Sequence, residues 1–191
     1  MSAAPGRPET SSHRSSLSEG TSVRTIPRTL EEFMAQALNM ERDAAARYNE
    51  LADAMDTHNN PDVAKLFRTM AGYEAKHAQR IMEEMNWVDV VALPPGAWPA
   101  MESPESVPID AVHYLMHPWH ALQLALAAEQ RAEAFFGDLA RQAGSDDVRR
   151  SALEMQAEER EHVQLVQAWL AKVLQPSGDW AEDPDPPRYT D

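Results

Sequence analysis

The chain has 191 residues, with 17 Lys and Arg against 31 Asp and Glu, a formal net charge of −14, and no cysteine. That charge argues against a nucleic-acid partner, because phosphates repel it, and the missing thiols exclude disulfides, zinc ribbons, iron–sulfur clusters and cysteine nucleophiles. No apolar run approaches the roughly 20 residues of a membrane span and no secretory apolar segment stands out, so the expectation is a cytoplasmic protein with no membrane partner. The length suits one domain of moderate size with flexible ends.

Residues 1–28 are rich in Ser, Arg, Pro and Gly, lack apolar periodicity and read as a disordered tail. Arg with Ser would suit an organelle transit peptide, but Glu9 and Glu19 argue against one. The first helix is expected to start at Thr29, where Thr29-Leu30-Glu31-Glu32 is a capping-box pattern. Its core positions run Leu30, Met34, Ala37, Glu41, Ala44, Tyr48, Leu51 and Met55, in the alternating steps of four and three that mark a bundle seam. The second helix opens on Asn60-Pro61, an N-cap with proline at the first helical position. Its seam is Val63, Phe67, Met70, Glu74, His77 and Ile81.

Between about Val88 and Pro118 the prolines forbid a long helix. A short helical piece is expected around Asp110–Met116, in a connection long enough to cross the full height of a bundle. The third helix carries Leu122, Ala125, Glu129, Ala132, Phe136 and Leu139, with Gly144 as its stop. The fourth begins near Ser145 and carries Val148, Ala152, Met155, Glu159, His162, Val166, Trp169 and Val173. Residues 176–191 read as a second tail, in which Trp180 and Tyr189 could dock on the body or on a partner.

The halves repeat. Glu41, Ala44, Tyr48 and Leu51 align with Glu129, Ala132, Phe136 and Leu139, and Glu74 and His77 with Glu159 and His162. One helix hairpin is present twice, which predicts an all-α four-helix bundle with pseudo-twofold symmetry. Each seam is interrupted by a carboxylate, and two of these belong to Glu-x-x-His, whose members share a helix face. Burying such charges without counter-ions is prohibitive. Four carboxylates, two divalent cations and two neutral imidazoles sum to zero, so a dinuclear metal site is expected. Carboxylate oxygens with one imidazole per ion favour iron or manganese, whereas zinc would sooner take cysteine or more histidine. Glu74 and Glu159 are expected to bridge, Glu41 and Glu129 to be terminal, and His77 and His162 to cap one ion each.

Neighbouring residues are read more plainly. Tyr48 lies two turns beyond Glu41 on the same face and could hydrogen-bond a ligating carboxylate or carry an electron, but packing is favoured, because its counterpart is Phe136. Glu133 could be an extra ligand or a ferry for ions, but a solvated helix face is favoured. His113, His117 and His120 cluster near the end of the crossover and miss the seam, so a second metal site there is the less favoured reading. Trp87, Trp98 and Trp119 are expected to pin the crossover to the bundle. Lys76, Arg80, Arg160 and Glu161 read as a charged outer face.

The stretches Leu38-Asn39-Met40-Glu41 to Leu51-Ala52, Ala71-Gly72-Tyr73-Glu74-Ala75-Lys76-His77, Ala125 to Leu139-Ala140, and Ala157-Glu158-Glu159-Arg160-Glu161-His162 resemble the rubrerythrin-like branch of the ferritin-like superfamily. The resemblance covers most of residues 29–175. It implies a ferritin-like four-helix bundle with a long crossover between helices 2 and 3, holding two iron ions, with manganese as the alternative. It implies reaction with hydrogen peroxide or dioxygen, and a homo-oligomer with a dimer favoured. Two departures stand out. Rubrerythrins carry a rubredoxin domain whose four cysteines bind iron; this chain has no cysteine, so an external electron donor is expected. Rubrerythrins also carry a further glutamate three residues after the third-helix ligand, where this chain has Ala132. The remaining six-ligand set looks like a bacterioferritin ferroxidase centre. A ferroxidase or iron-storage role, and a non-enzymatic metal-binding or cargo role, stay open beside peroxide detoxification.

Overall fold

The computed structural model describes residues 26–89, 91–93, 103–178 and 181. Four long helices account for most of them: α1 (Leu30–Thr57), α2 (Pro61–Met85), α3 (Pro118–Gln142) and α4 (Asp146–Leu170). There is no strand among the described residues. The architecture is the all-α four-helix bundle expected from the seams, in the ferritin-like form that the resemblance implies. Most of both expected tails, with Trp180 and Tyr189, lies outside the described residues, as does Trp98.

The helix boundaries follow local chemistry. The Thr29 hydroxyl accepts the Glu32 N–H at 3.2 Å, as an N-cap should. The Glu32 carboxylate reaches back to the Arg28 N–H at 2.7 Å, so the reciprocal half of the capping box is displaced by one residue. Asn60 caps α2 through Val63, with Pro61 as the first helical residue. Asn86 ends α2 in the left-handed region at φ 53°, which asparagine tolerates better than most side chains. Ser145 caps α4 through the Val148 N–H at 3.3 Å. α4 stops at Leu170, so Val173, placed on its seam by periodicity, follows the helix and packs partly buried against the core. The helical piece expected at Asp110–Met116 is a single 3₁₀ turn, Ile109–Ala111.

α1 pairs with α2, and α3 with α4, as two hairpins. Ring contacts show how they face one another. Phe33 of α1 meets Phe136 of α3 at 6.1 Å, and His77 of α2 stacks on His162 of α4 at 4.7 Å. The connection from α2 to α3 runs the height of the bundle. Near its start the Val91 carbonyl accepts from Asn39, in the first half of α1. At its end the Met116 carbonyl accepts from Asn60, the cap of α2, at 2.7 Å. α2 and α3 therefore begin at the same end and run parallel, which a short loop could not achieve.

The core divides into two apolar clusters. One holds Phe33, Leu38, Met40, Phe136 and Met155; the other holds Tyr48, Leu51, Phe67, Leu122 and Val166. Glu41, Glu74, Glu129 and Glu159 fall between these clusters along their helices, each with 0% of its surface exposed. Dry packing above and below this polar layer keeps it at a low dielectric, where charge interactions are strong.

Candidate metal centre

Each helix contributes to the polar layer: Glu41 from α1, Glu74 and His77 from α2, Glu129 from α3, Glu159 and His162 from α4. The His162 Nδ1 lies 3.2 Å from Glu129, 3.6 Å from Glu159 and 3.8 Å from Glu74. The His77 Nδ1 lies 3.8 Å from Glu41. Donor atoms within 4.8 Å of one another define overlapping sets: Glu41, His77 and Glu159; Glu129, Glu159 and His162; and Glu74 with both imidazoles. Glu159 thus reaches both hairpins' terminal carboxylates, and Glu74 reaches both rings. The imidazoles stack within 15° of parallel on the α2–α4 side and wall the layer there.

The electrostatics of the layer show why it suits cations. Burial pushes Glu41 and Glu74 well above the ordinary glutamate range, and neighbouring carboxylates push them further. Glu159 is pushed up to about 7, again chiefly by burial. Burial would lower His162, but the carboxylates of Glu129, Glu159 and Glu74 outweigh it and raise the ring to about 11. His77 is pushed down to about 4 by burial, then by the charges of His162 and Arg80. One protonated imidazole therefore does part of what cations would do, at the cost of crowding.

Hydrogen bonding gives the sharper test. Neither carboxylate oxygen of Glu41, Glu74 or Glu159 has a hydrogen-bond partner. Buried polar groups are nearly always satisfied, so this many orphaned oxygens in one layer is a strong departure. Hard oxygen donors with one imidazole for each of two ions suit iron or manganese, and two divalent cations would occupy the orphaned lone pairs. The residues fit a dinuclear centre.

Tyr48 packs on Phe67 as expected, but its hydroxyl also donates to Glu129 Oε1 at 3.1 Å, a role its Phe136 counterpart cannot play. Glu133 points away from the layer and accepts from Arg160 at 2.8 Å. His113, His117 and His120 join no cluster of potential metal donors among the described residues. Arg80 pairs with Glu158 across α2 and α4, and the Lys76 ammonium sits 5.5 Å from the Tyr73 ring centre, on the charged outer face.

One residue escapes sequence reasoning. Glu105 lies in the crossover, is 0% exposed, and has a carboxylate oxygen within 4.8 Å of donor atoms of Glu41 and Glu74. Burial, then the charges of Glu74, Glu159, Glu41 and Glu129, push it well above the ordinary range. No periodicity flags it, because turn segments ordinarily carry exposed acids. The layer therefore holds five carboxylates, not the four of the charge count above.

Among known proteins, the rubrerythrin family model matches residues 32–99, a span that includes Glu41, Glu74 and His77. The crystal structure of an uncharacterized conserved protein from Magnetospirillum magnetotacticum MS-1 is similar over 78% of this chain and 98% of its own, at 35% identity and a TM-score of 0.61. No curated protein matches.

Proposed function

Because the chain belongs to the rubrerythrin-like branch of the ferritin-like superfamily, we propose that it is a di-iron oxidoreductase that reduces hydrogen peroxide or dioxygen with electrons from an external donor. The observation that carries this reading is the layer of buried carboxylates beside two imidazoles, in which both oxygens of Glu41, Glu74 and Glu159 lack a hydrogen-bond partner. In this reading Glu41 and His77 would hold one ion and Glu129 and His162 the other, with Glu74 and Glu159 as donors to both. Bound there, a pair of redox-active ions would supply the electrons for cleaving an O–O bond and stabilise the negative charge that develops.

The protein's own part is positioning. Tyr48 fixes the orientation of Glu129 through its hydroxyl, as a partner behind a ligand should. Apolar clusters on either side exclude bulk water from the layer. The half-buried His77, 16% exposed at its side chain, marks the α2–α4 side as the thinner wall. Manganese in place of iron, a homodimer and a cytoplasmic location belong to the same reading. Among the described residues no helix is long and apolar enough to cross a membrane.

The test loads metal-free protein with Fe(II) under anaerobic conditions and counts iron per chain, then mixes the loaded protein with peroxide or dioxygen in a stopped-flow instrument. Two ions per chain and rapid oxidation by peroxide are expected. Saturation well below two ions refutes the centre. Oxidation by dioxygen that releases ferric product for further loading replaces this reading with ferroxidase or storage, the role suggested by the six-donor set with Ala132 in place of another acid.

A further inference from the structure

We propose that Glu105 is a metal ligand: a fifth carboxylate that the crossover delivers to the Glu41–Glu74 side of the centre. The inference rests on the dinuclear reading above and adds a donor outside the four helices and outside the residues matched by the family model.

Three observations converge on it. First, the side chain is fully buried and neither carboxylate oxygen has a hydrogen-bond partner. A glutamate buried for structural reasons would donate or accept a hydrogen bond, since leaving a buried carboxyl unpaired is strongly unfavourable. Second, it is aimed at other orphans. One of its oxygens lies within 4.8 Å of donor atoms of Glu41 and Glu74, whose oxygens are equally unpartnered. Three mutually close acids without donors are stable together only around cations or with shared protons.

Third, the backbone that carries it is fastened from two helices. The Ser106 N–H closes a turn on the Ser103 carbonyl at 3.0 Å, with Pro104 and Glu105 between them. Arg131 of α3 holds the carbonyls on either side of Glu105, donating to Pro104 at 2.9 Å and Ser106 at 3.0 Å. Arg47 of α1 donates to the Ser106 hydroxyl at 3.4 Å. Val107, 1% exposed, anchors the next residue in the core. A carboxylate on a turn supported in this way is held to one position, as a ligand must be.

The geometry also makes the two ion positions unequal. Glu105 sides with Glu41, the terminal acid of the first hairpin, and groups with neither Glu129 nor an imidazole. The fifth negative charge exceeds what two divalent ions neutralise, so it favours the more highly charged state of the ion nearest Glu41.

The experiment titrates full-length, metal-free protein with Co(II), following bound ions per chain and the visible absorption bands, which report the number and type of ligands. Wild type, Glu105→Gln, Glu105→Asp and the outlying control Glu133→Gln are compared, with far-UV circular dichroism as the check on folding. The expected result is two ions in wild type and in Glu133→Gln. Glu105→Gln binds one of the two at least about tenfold more weakly and with altered bands. Glu105→Asp, which keeps the charge but shortens its reach, alters the bands even where Glu105→Gln folds poorly. Two ions in wild type with unchanged titrations and spectra in both Glu105 variants overturn the assignment and leave the centre standing. Fewer than two ions in wild type overturn the centre and the assignment together.

Discussion

Glu129 and Glu74 illustrate how far a single side chain's surroundings decide its chemistry. Glu129 accepts from Tyr48 and lies 3.2 Å from the His162 ring, whereas both Glu74 oxygens are orphaned. Tyr48→Phe removes the donor and leaves a buried acceptor short of one bond. It is expected to destabilise the metal-free protein by about 1–3 kcal/mol and to weaken metal binding about 10–100-fold, read by thermal melts and metal titration. Glu74→Gln acts in the opposite direction on the metal-free protein. It removes a carboxyl whose charged form burial disfavours and whose proton is held more tightly than usual, so its melting temperature should gain more at high pH than at low pH. Each kcal/mol gained shows as about 2–4 °C. The same variant should bind fewer than two ions per chain; an unchanged ion count would remove Glu74 from the set. The position of these acids was legible because seam register predicts burial: Glu41, Glu74, Glu129 and Glu159 all have no exposed surface. The Tyr48 hydrogen bond was legible only as an alternative to plain packing, because periodicity says that a residue is inside but not which polar atom it meets across the bundle.

At the scale of elements, the helices were readable from their punctuation. Thr29, Asn60-Pro61 and Ser145 mark three N-termini, and each side-chain oxygen makes its cap bond. Thr29→Ala or Ser145→Ala should cost about 1 kcal/mol each. Asn60→Ala should cost more, by about 0.5–1.5 kcal/mol, because its amide also donates to the Met116 carbonyl and so ties the end of the crossover to the start of α2. Chemical denaturation of the three variants measures the order. The crossover itself was legible only as a stretch where helix is forbidden. What it does depends on long-range contacts that no local pattern encodes: Asn39 with Val91, Arg47 with Ser106, and Arg131 with Pro104 and Ser106. Glu105 was invisible for that reason, since its burial is imposed by arginines from two helices remote in sequence.

For the whole molecule, the net charge of −14 and the buried acids set a pH dependence that metal should abolish. A carboxyl raised in the folded state stabilises the fold below its ordinary value and loses that contribution as pH climbs through the folded one. For Glu159 the loss runs from 4.5 to about 7, and Glu41, Glu74 and Glu105, also raised well above the ordinary range, add to it in the same direction. His77, lowered from 6.5 to about 4, works the other way and offsets part of this below 6.5. Above pH 6.5 that offset is spent, so the melting temperature of metal-free protein should fall steadily as pH rises. Saturating divalent cation should flatten the curve and raise it throughout, because a ligand bound only by the folded state adds its binding energy to stability. A metal-free protein equally stable at pH 6.5 and 9 would contradict this charge distribution.

The duplicated hairpin has a mechanical consequence. Each half owns three of the six donors found on the helices, Glu41, Glu74 and His77 on one side and Glu129, Glu159 and His162 on the other. Neither half alone can complete two coordination shells. Ions seated between them would act as rivets, clamping together two units that are otherwise joined by apolar surface and one long strap. Chelation should then loosen the seam between the halves before it melts any helix, and amide hydrogen exchange should quicken first along the inward faces that the rivets hold shut.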